Sequence, residues 1–181
     1  VIADDHKINE RETDLERKSF ELIALQQPVS TDLRVIVTIM KASSDLERMG
    51  DHAVSIAKST IRVKGNTRVP DIEKDIADMA DKVKQMVEEV LDAYVKEDRK
   101  KAIKIADEDV AINAYSDNIY DDCIKEMQRD SETVVGSMDY MLVASYLERI
   151  GDYVTNICEW IVYLRTGKVV ELNSNAQEDE F

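Results

Sequence analysis

Two six-residue segments of this chain place acid identically: Leu46-Glu47-Arg48-Met49-Gly50-Asp51 and, about a hundred residues later, Leu147-Glu148-Arg149-Ile150-Gly151-Asp152. They differ only in Met49 against Ile150. Each sets a Glu and an Asp four positions apart, and residues so spaced share one face of a helix. A second matched pair precedes each segment: Asp5 and Asn9 before the first, Asp109 and Asn113 before the second, again at i and i+4. Oxygen donors without thiolate or imidazole suit a hard or intermediate cation such as iron, manganese, magnesium or, less comfortably, zinc.

The pattern carries costs that a solvated surface does not require. Like charges at i, i+4 destabilise a helix by a few tenths of a kcal/mol. Gly50 and Gly151 fall mid-helix, where glycine costs about 1 kcal/mol against alanine. The competing explanation is local pairing, Arg48 with Asp51 and Arg149 with Asp152 at i, i+3, with the motif serving helix packing alone. His6 and His52 adjoin Asp5 and Asp51, but their counterparts are Val110 and Tyr153, so surface histidine is the expectation for both. Cys123 and Cys158 have no CxxC or Cys/His spacing for zinc, and Cys158 falls on an apolar stripe, as a core thiol would.

The elements that must position these residues are helices. With 5 Gly and 2 Pro the chain has few turns and long elements. One helix is expected from about Ala3 to Leu25, stopped by Gln26-Gln27-Pro28. A second begins with Ser30 or Thr31 as N-cap, runs to about Arg62 and closes at Gly65-Asn66. Pro70 opens a third, in which Ile72, Ile76, Met79, Val83, Met86, Val90 and Tyr94 recur at steps of three and four. A fourth spans Arg99 to Gln128 and breaks at Asp130-Ser131. The last covers Thr133 to Leu164 and ends near Gly167.

If Pro28 is the apex of an antiparallel hairpin, Asp5 lies level with Asp51 and Asn9 with Glu47. In the second copy Asp109 lies level with Asp152 and Asn113 with Glu148, about an apex at the independently read Asp130-Ser131 break. Four oxygen-bearing side chains therefore converge on each hairpin. Measured from the centre of the stripe Leu147, Ile150, Val154, Ile157, Ile161 and Leu164, Glu148 and Asp152 fall on the opposite side of the helix. The cluster is thus expected on the hairpin's outer face, open to solvent or a partner.

The chain reads as all-α and internally repeated. The second copy has three helices and the first has two, so the expected architecture is two three-helix units, the first lacking its opening helix in this sequence. The divisions are 1–65 for the incomplete first repeat, 66–171 for the second, and 172–181 for an acidic tail expected to be disordered. A net charge of −14 repels phosphate backbones and excludes nucleic acid as a natural partner, while favouring cations or a basic surface; excess acid that merely aids solubility is the alternative. No apolar run approaches the ~20 residues of a spanning helix, and no signal peptide is recognisable, so a cytoplasmic protein without membrane insertion is expected. There is no Gly-rich phosphate loop, nucleophile elbow or triad.

Asp5-His6-Lys7-Ile8-Asn9, Gln27-Pro28-Val29-Ser30-Thr31-Asp32-Leu33-Arg34 and the paired Leu-Glu-Arg-x-Gly-Asp segments together resemble the PhoU family of bacterial phosphate-signalling regulators, over nearly the whole chain to about Gly167. The resemblance implies two three-helix bundles related by a pseudo-twofold, often as a homodimer, with surface iron or zinc clusters. By position, Glu47, Asp51, Glu148 and Asp152 match the family's metal motif fully. Asp5 and Asp109 match its helical partner, whereas Asn9 and Asn113 put a weaker amide donor in place of a carboxylate. It further implies a cytoplasmic, non-enzymatic negative regulator of phosphate uptake and the starvation response. Its partners would be a phosphate ABC transporter ATPase and a sensor histidine kinase. The competing functions are a ferritin-like di-metal carboxylate enzyme, whose inward Glu-x-x-His pairs this sequence lacks, and a metal-free structural bundle.

Overall fold

The computed structural model describes residues 5–173, and for Asp5 the backbone only. Positions 1–4 and 174–181, with the expected helix start at Ala3 and most of the expected disordered tail, lie outside the described residues. Six helices follow in order: α1 Asp5–Gln26, α2 Ser30–Val63, α3 Pro70–Val95, α4 Arg99–Asp107, α5 Asp109–Arg129 and α6 Val134–Thr166, with a 3₁₀ turn at Ser131–Thr133. Among the described residues there is no strand.

Local chemistry explains most of the boundaries. Pro70 occupies the first turn of α3, where its missing N–H costs nothing. Asn66 closes α2 by donating from Nδ2 to the Arg62 carbonyl at 2.9 Å. Gly167 ends α6 at φ 71°, and its N–H reaches the Tyr163 carbonyl at 2.7 Å. The α2 start corrects one expectation. Neither Ser30 nor Thr31 is the N-cap; Val29 holds that position in an extended conformation, and no side chain caps the helix. Ser30 itself sits at φ 49°, outside the extended region from which an N-cap hydroxyl folds back.

The expected helix from Arg99 to Gln128 is two helices. At Glu108 the backbone tightens: its N–H bonds the Ile105 carbonyl at 3.1 Å, and its carbonyl accepts from Ala111 N–H at 3.0 Å, both three-residue steps. No Gly or Pro marks this break. Its position matters, because it makes Asp109 the first residue of α5, where the helix dipole favours a carboxylate.

The core lies around α6. The expected stripe from Leu147 to Leu164 is buried throughout, and so are Cys123 and Cys158. In α3, Ile72, Met79, Val83, Met86 and Val90 are buried, while Ile76 and Tyr94 are half-buried against them. Each such side chain contributes about 1.5–3 kcal/mol by leaving water. The α6 helix also packs against α2, α3, α4 and α5, so little of its circumference is free.

The two repeats meet antiparallel at α2 and α6, and the contacts there are reciprocal. The Arg48 guanidinium lies 5.9 Å from the Tyr153 ring centroid. Arg149 acts electrostatically on His52. Arg149 is the repeat counterpart of Arg48, and Tyr153 that of His52, so the two contacts are related by a pseudo-twofold. The opposite side of this seam is apolar. Leu147, Ile150, Val154 and Ile157 are buried in the second repeat; Leu147 and Ile150, with the first-repeat residues Leu46, Met49, Ala53 and Ile56, line an open groove of ≈ 480 Å³ that Ile8, Val83 and Val87 also border.

Candidate metal centre

The second carboxylate set assembles at the α5–α6 interface. α5 lies so close to α6 there that a β-carbon on Gly151 would stand 2.8 Å from Asp109 Oδ1 and 3.5 Å from Ile112 Cγ2. Of the level pairings read from the sequence, that of Asp109 is seen, since Asp109 meets α6 one residue from Asp152. Asn113 donates from Nδ2 to Asp109 Oδ2 at 3.3 Å. Glu148 Oε2 accepts from Ser116 Oγ at 2.7 Å.

The expectation of an open outer face needs correcting. Asp109 is 5% exposed, Gly151 is buried, Glu148 is half-buried, and Asp152 is the exposed member. Helical angle from the apolar stripe fails as a guide because α6 is packed on most sides, and because Gly151 removes the side chain that would hold α5 away.

Electrostatics follow from this burial. Desolvation pushes the Asp109 carboxyl above its ordinary 3.8; the Asn113 hydrogen bond opposes this and the Glu148 charge adds to it. Asp152 is also raised, by desolvation first and then by the charges of Asp109 and Glu148, with Arg149 opposing. Asp109 Oδ1 is buried and accepts no hydrogen bond. An orphaned carboxylate oxygen among like charges is a place that a cation would relieve. The residues do not form a closed cage: among the described residues no three His, Cys, Asp or Glu side chains are gathered closely enough to enclose an ion.

The first copy repeats part of the arrangement. A β-carbon on Gly50 would meet Ile8 Cδ1 at 3.1 Å, so α1 approaches α2 at the equivalent place. Asn9 Oδ1 is buried and without a hydrogen-bond partner. Glu47 is half-buried and Asp51 exposed. The Asp5 side chain lies outside the described residues.

Local pairing does not account for the acids. Among the described residues neither Arg48 with Asp51 nor Arg149 with Asp152 forms an ion pair, and Arg48 turns onto Tyr153 instead. His52 corrects the surface expectation. It is half-buried and stacked between Tyr146 and Tyr153, with ring centroids 5.6 Å and 5.8 Å away. Burial, then Arg149, lowers its pKa, while Asp51 opposes. His6 is exposed.

Two site residues escaped the sequence reading. Ser116 continues the Asp109, Asn113 face at the next helical step, a spacing visible in advance; its first-copy counterpart is Glu12. Asn173 reaches the site from beyond Gly167. It donates from Nδ2 to the Ala106 carbonyl at 2.7 Å, and its amide opposes the upward shift of the Asp109 carboxyl. No local pattern announces that contact, which depends on the chain reversing at Gly167.

Comparison with known proteins places this architecture. The family model described as the PhoU domain matches residues 1–60 and 76–161. A Clostridium acetobutylicum protein called a phosphate-specific transport system accessory protein PhoU homolog is 42% identical over 174 residues, covering 96% of this chain and 79% of its own. A Streptococcus pneumoniae protein of the same description is 38% identical over 173 residues, covering 96% and 80%. Among solved structures, the phosphate transport system regulatory protein PhoU of S. pneumoniae superposes with a TM-score of 0.87 at 36% identity, over 94% of this chain and 80% of that one. PhoU from Pseudomonas aeruginosa gives 0.86 at 29% identity, over 92% and 79%. With the repeat, the helical order and these matches in agreement, the chain belongs to the PhoU family.

Proposed function

We propose that this chain is a regulatory accessory protein of a phosphate-specific transport system and not an enzyme. In phosphate-replete cells it would link the transporter ATPase to a sensor histidine kinase and hold the starvation response down. The observation that carries this reading is the pair of matched acidic motifs on two helical hairpins, in a chain whose relatives are named as accessory proteins of such a system. Among the described residues no helix is long and apolar enough to cross a membrane. The reading assigns the protein to the cytoplasmic side, as a homodimer.

The metal belongs to the same proposal. Asp109, Glu148 and Asp152 would hold a cation in the second repeat only by closing further around it than they stand here, with Asp5, Glu47 and Asp51 in the first; iron or zinc leads, with manganese or magnesium as alternatives. Asn9 and Asn113 are weaker ligands, and Asn113 presents its amide N–H to Asp109. A cation would supply neutralisation of crowded carboxylates. The part of the residues is to tie α5 to α6 and α1 to α2.

The test is the activity of a phosphate-starvation promoter in phosphate-rich medium, with the gene present, deleted and restored. Derepression on deletion and repression on restoration are expected. A promoter indifferent to the gene would refute the regulatory role.

A further inference from the structure

The four most exposed large apolar side chains among the described residues are Val95, Val169, Leu25 and Val29, at 83%, 78%, 77% and 73%. They flank three different turns, and all three turns meet at one end of the bundle. The Arg34 guanidinium, just inside α2 from Val29, fills the place that a β-carbon on Gly167 would take, two residues before Val169. Arg165 donates from Nη1 to Glu97 at 3.0 Å, two residues after Val95. Single exposed aliphatic residues are ordinary on a protein surface. Four that converge on one end form a patch, and such patches mark interaction sites.

At the same end an acidic chain turns basic. Lys96, Arg99, Lys100 and Lys104 are exposed around the start of α4, and Lys168 beyond Gly167. The acids between them are engaged: Asp92 with both Lys96 and Lys101, Glu97 with Arg165, and Asp98 as the cap that accepts from the Lys101 N–H. Among the described residues Arg99, Lys100, Lys104 and Lys168 pair with no carboxylate. Lys100 and Lys104 stand one turn apart on the α4 face opposite the buried Ala102, Ile105 and Ala106. With Arg34, and with the exposed Asp32, Asp107 and Glu171 counted in, eight cations meet six acids here, a local charge of +2 on a chain of −14. At the opposite end Arg62, Arg68 and Arg129 are each held by an acid.

We propose that this end of the bundle docks on an anionic lipid surface, with Leu25, Val29, Val95 and Val169 entering the headgroup layer and the free lysines meeting lipid phosphates. The aliphatic tips select the occupant. They belong to three separate turns and share no helix face or strand edge, the patterns by which a peptide is gripped, whereas a fluid interface moulds itself around each. The cations then choose the headgroup, because an anionic leaflet attracts each of them and a zwitterionic one does not. The paired acidic motifs stand too far off to oppose this. Glu47 and Asp51 lie roughly 25–32 Å along α2 from Ser30 at 1.5 Å per residue, about three or more screening lengths at physiological salt. The association is peripheral and reversible, and it stands apart from the regulatory reading.

The test is co-sedimentation with vesicles of phosphatidylcholine alone and of phosphatidylcholine with about one third phosphatidylglycerol. Three variants accompany the wild type, with helicity recorded for each: K100E/K104E for the cations, V95S/V169S for the tips, and I61S/M138S, which removes exposed apolar residues near the opposite end. The wild type is expected to bind the phosphatidylglycerol vesicles, to weaken with salt, and to bind phosphatidylcholine alone at least about tenfold less well. K100E/K104E and V95S/V169S should each lose about tenfold, while I61S/M138S stays within about twofold of the wild type. A wild type that ignores the anionic vesicles overturns the proposal and leaves this end to a protein partner. A folded K100E/K104E or V95S/V169S that binds like the wild type overturns it too. So does a V95S/V169S whose sedimentation without vesicles differs from that of the wild type, which would make a second copy of this chain the occupant.

Discussion

Asp109 and Gly151 are fitted to one another: the carboxylate occupies the space a β-carbon would take, 2.8 Å from where that carbon would stand. Gly50, at the same motif position, faces the end of the Ile8 side chain at 3.1 Å. The two glycines therefore respond differently to alanine. Helix propensity favours Ala by about 1 kcal/mol at either site. At Gly151 it must displace a short, buried carboxylate, and overpacking costs about 1–3 kcal/mol. At Gly50 a terminal methyl can turn aside. Urea unfolding should show Gly151→Ala losing stability by up to about 2 kcal/mol and Gly50→Ala neutral or gaining up to about 1 kcal/mol. Equal shifts would contradict the fit.

Asp109 is held above the ordinary 3.8 chiefly by burial, and Asp152, at the exposed edge, is raised by partial desolvation and by the neighbouring charges of Asp109 and Glu148. The folded form thus binds their protons more tightly than the unfolded chain does. Their charge opposes folding at neutral pH, and that penalty fades as the pH falls through their folded values towards 3.8. Asp109→Asn should accordingly melt higher than the wild type at pH 7, with the advantage shrinking as the pH approaches 4. Thermal scans across that range decide it; a variant that melts lower at pH 7 would mean the carboxylate stabilises the fold.

His52 works in the opposite direction. Its pKa is lowered from 6.5 by burial and by Arg149. The unfolded chain then takes up the proton first, so stability falls as the pH drops below 6.5 towards the folded value. His52→Phe keeps a ring between Tyr146 and Tyr153 without a titrating group. Relative to the wild type it should gain in melting midpoint as the pH is lowered from 7 to 5, and parallel curves for the two proteins would count against the buried stack.

The acidic sites are tested by element analysis of the dialysed protein beside a variant with Glu47, Asp51, Glu148 and Asp152 all changed to Ala. The wild type is expected to retain iron or zinc, or failing those manganese or magnesium, and the variant to lose it at unchanged helicity. Equal metal in both would end the metal proposal.

Trp160 joins the repeats by donating from Nε1 to the buried Asp45 at 3.1 Å. Trp160→Phe leaves that carboxylate short of a donor, at a cost of about 1–3 kcal/mol. A double-mutant cycle with Asp45→Asn should return a coupling of about 1 kcal/mol, and additive effects would show the bond to be idle.

What could be read in advance depended on how local its cause was. Pro70, Asn66, Asp130 and Gly167 act on their own turns, and the boundaries near them were legible. The level pairing of Asp109 with α6 was legible too, because two positions in two repeats agreed. Three features were not. The break at Glu108 has no Gly or Pro to signal it. Ser30 looked like a cap by residue type, but its backbone is set by the tight connection around Pro28. The burial of Asp109 was misjudged because a helical wheel describes one helix on one core, and α6 is enclosed by four others.

The two thiols carry a consequence of their own. Cys123 and Cys158 are fully buried and free, and burial raises their pKa values to about 11 and about 12. At neutral pH almost no thiolate forms while the chain is closed, so an alkylating reagent can react only with molecules that have opened. Cys123 reports the parting of α5 from α6, and Cys158 the exposure of the centre of α6. The molecule thus contains two clocks, one at the rim and one at the hub. If the fold opens as a unit they run at one rate, and if α5 peels away first, Cys123 runs ahead.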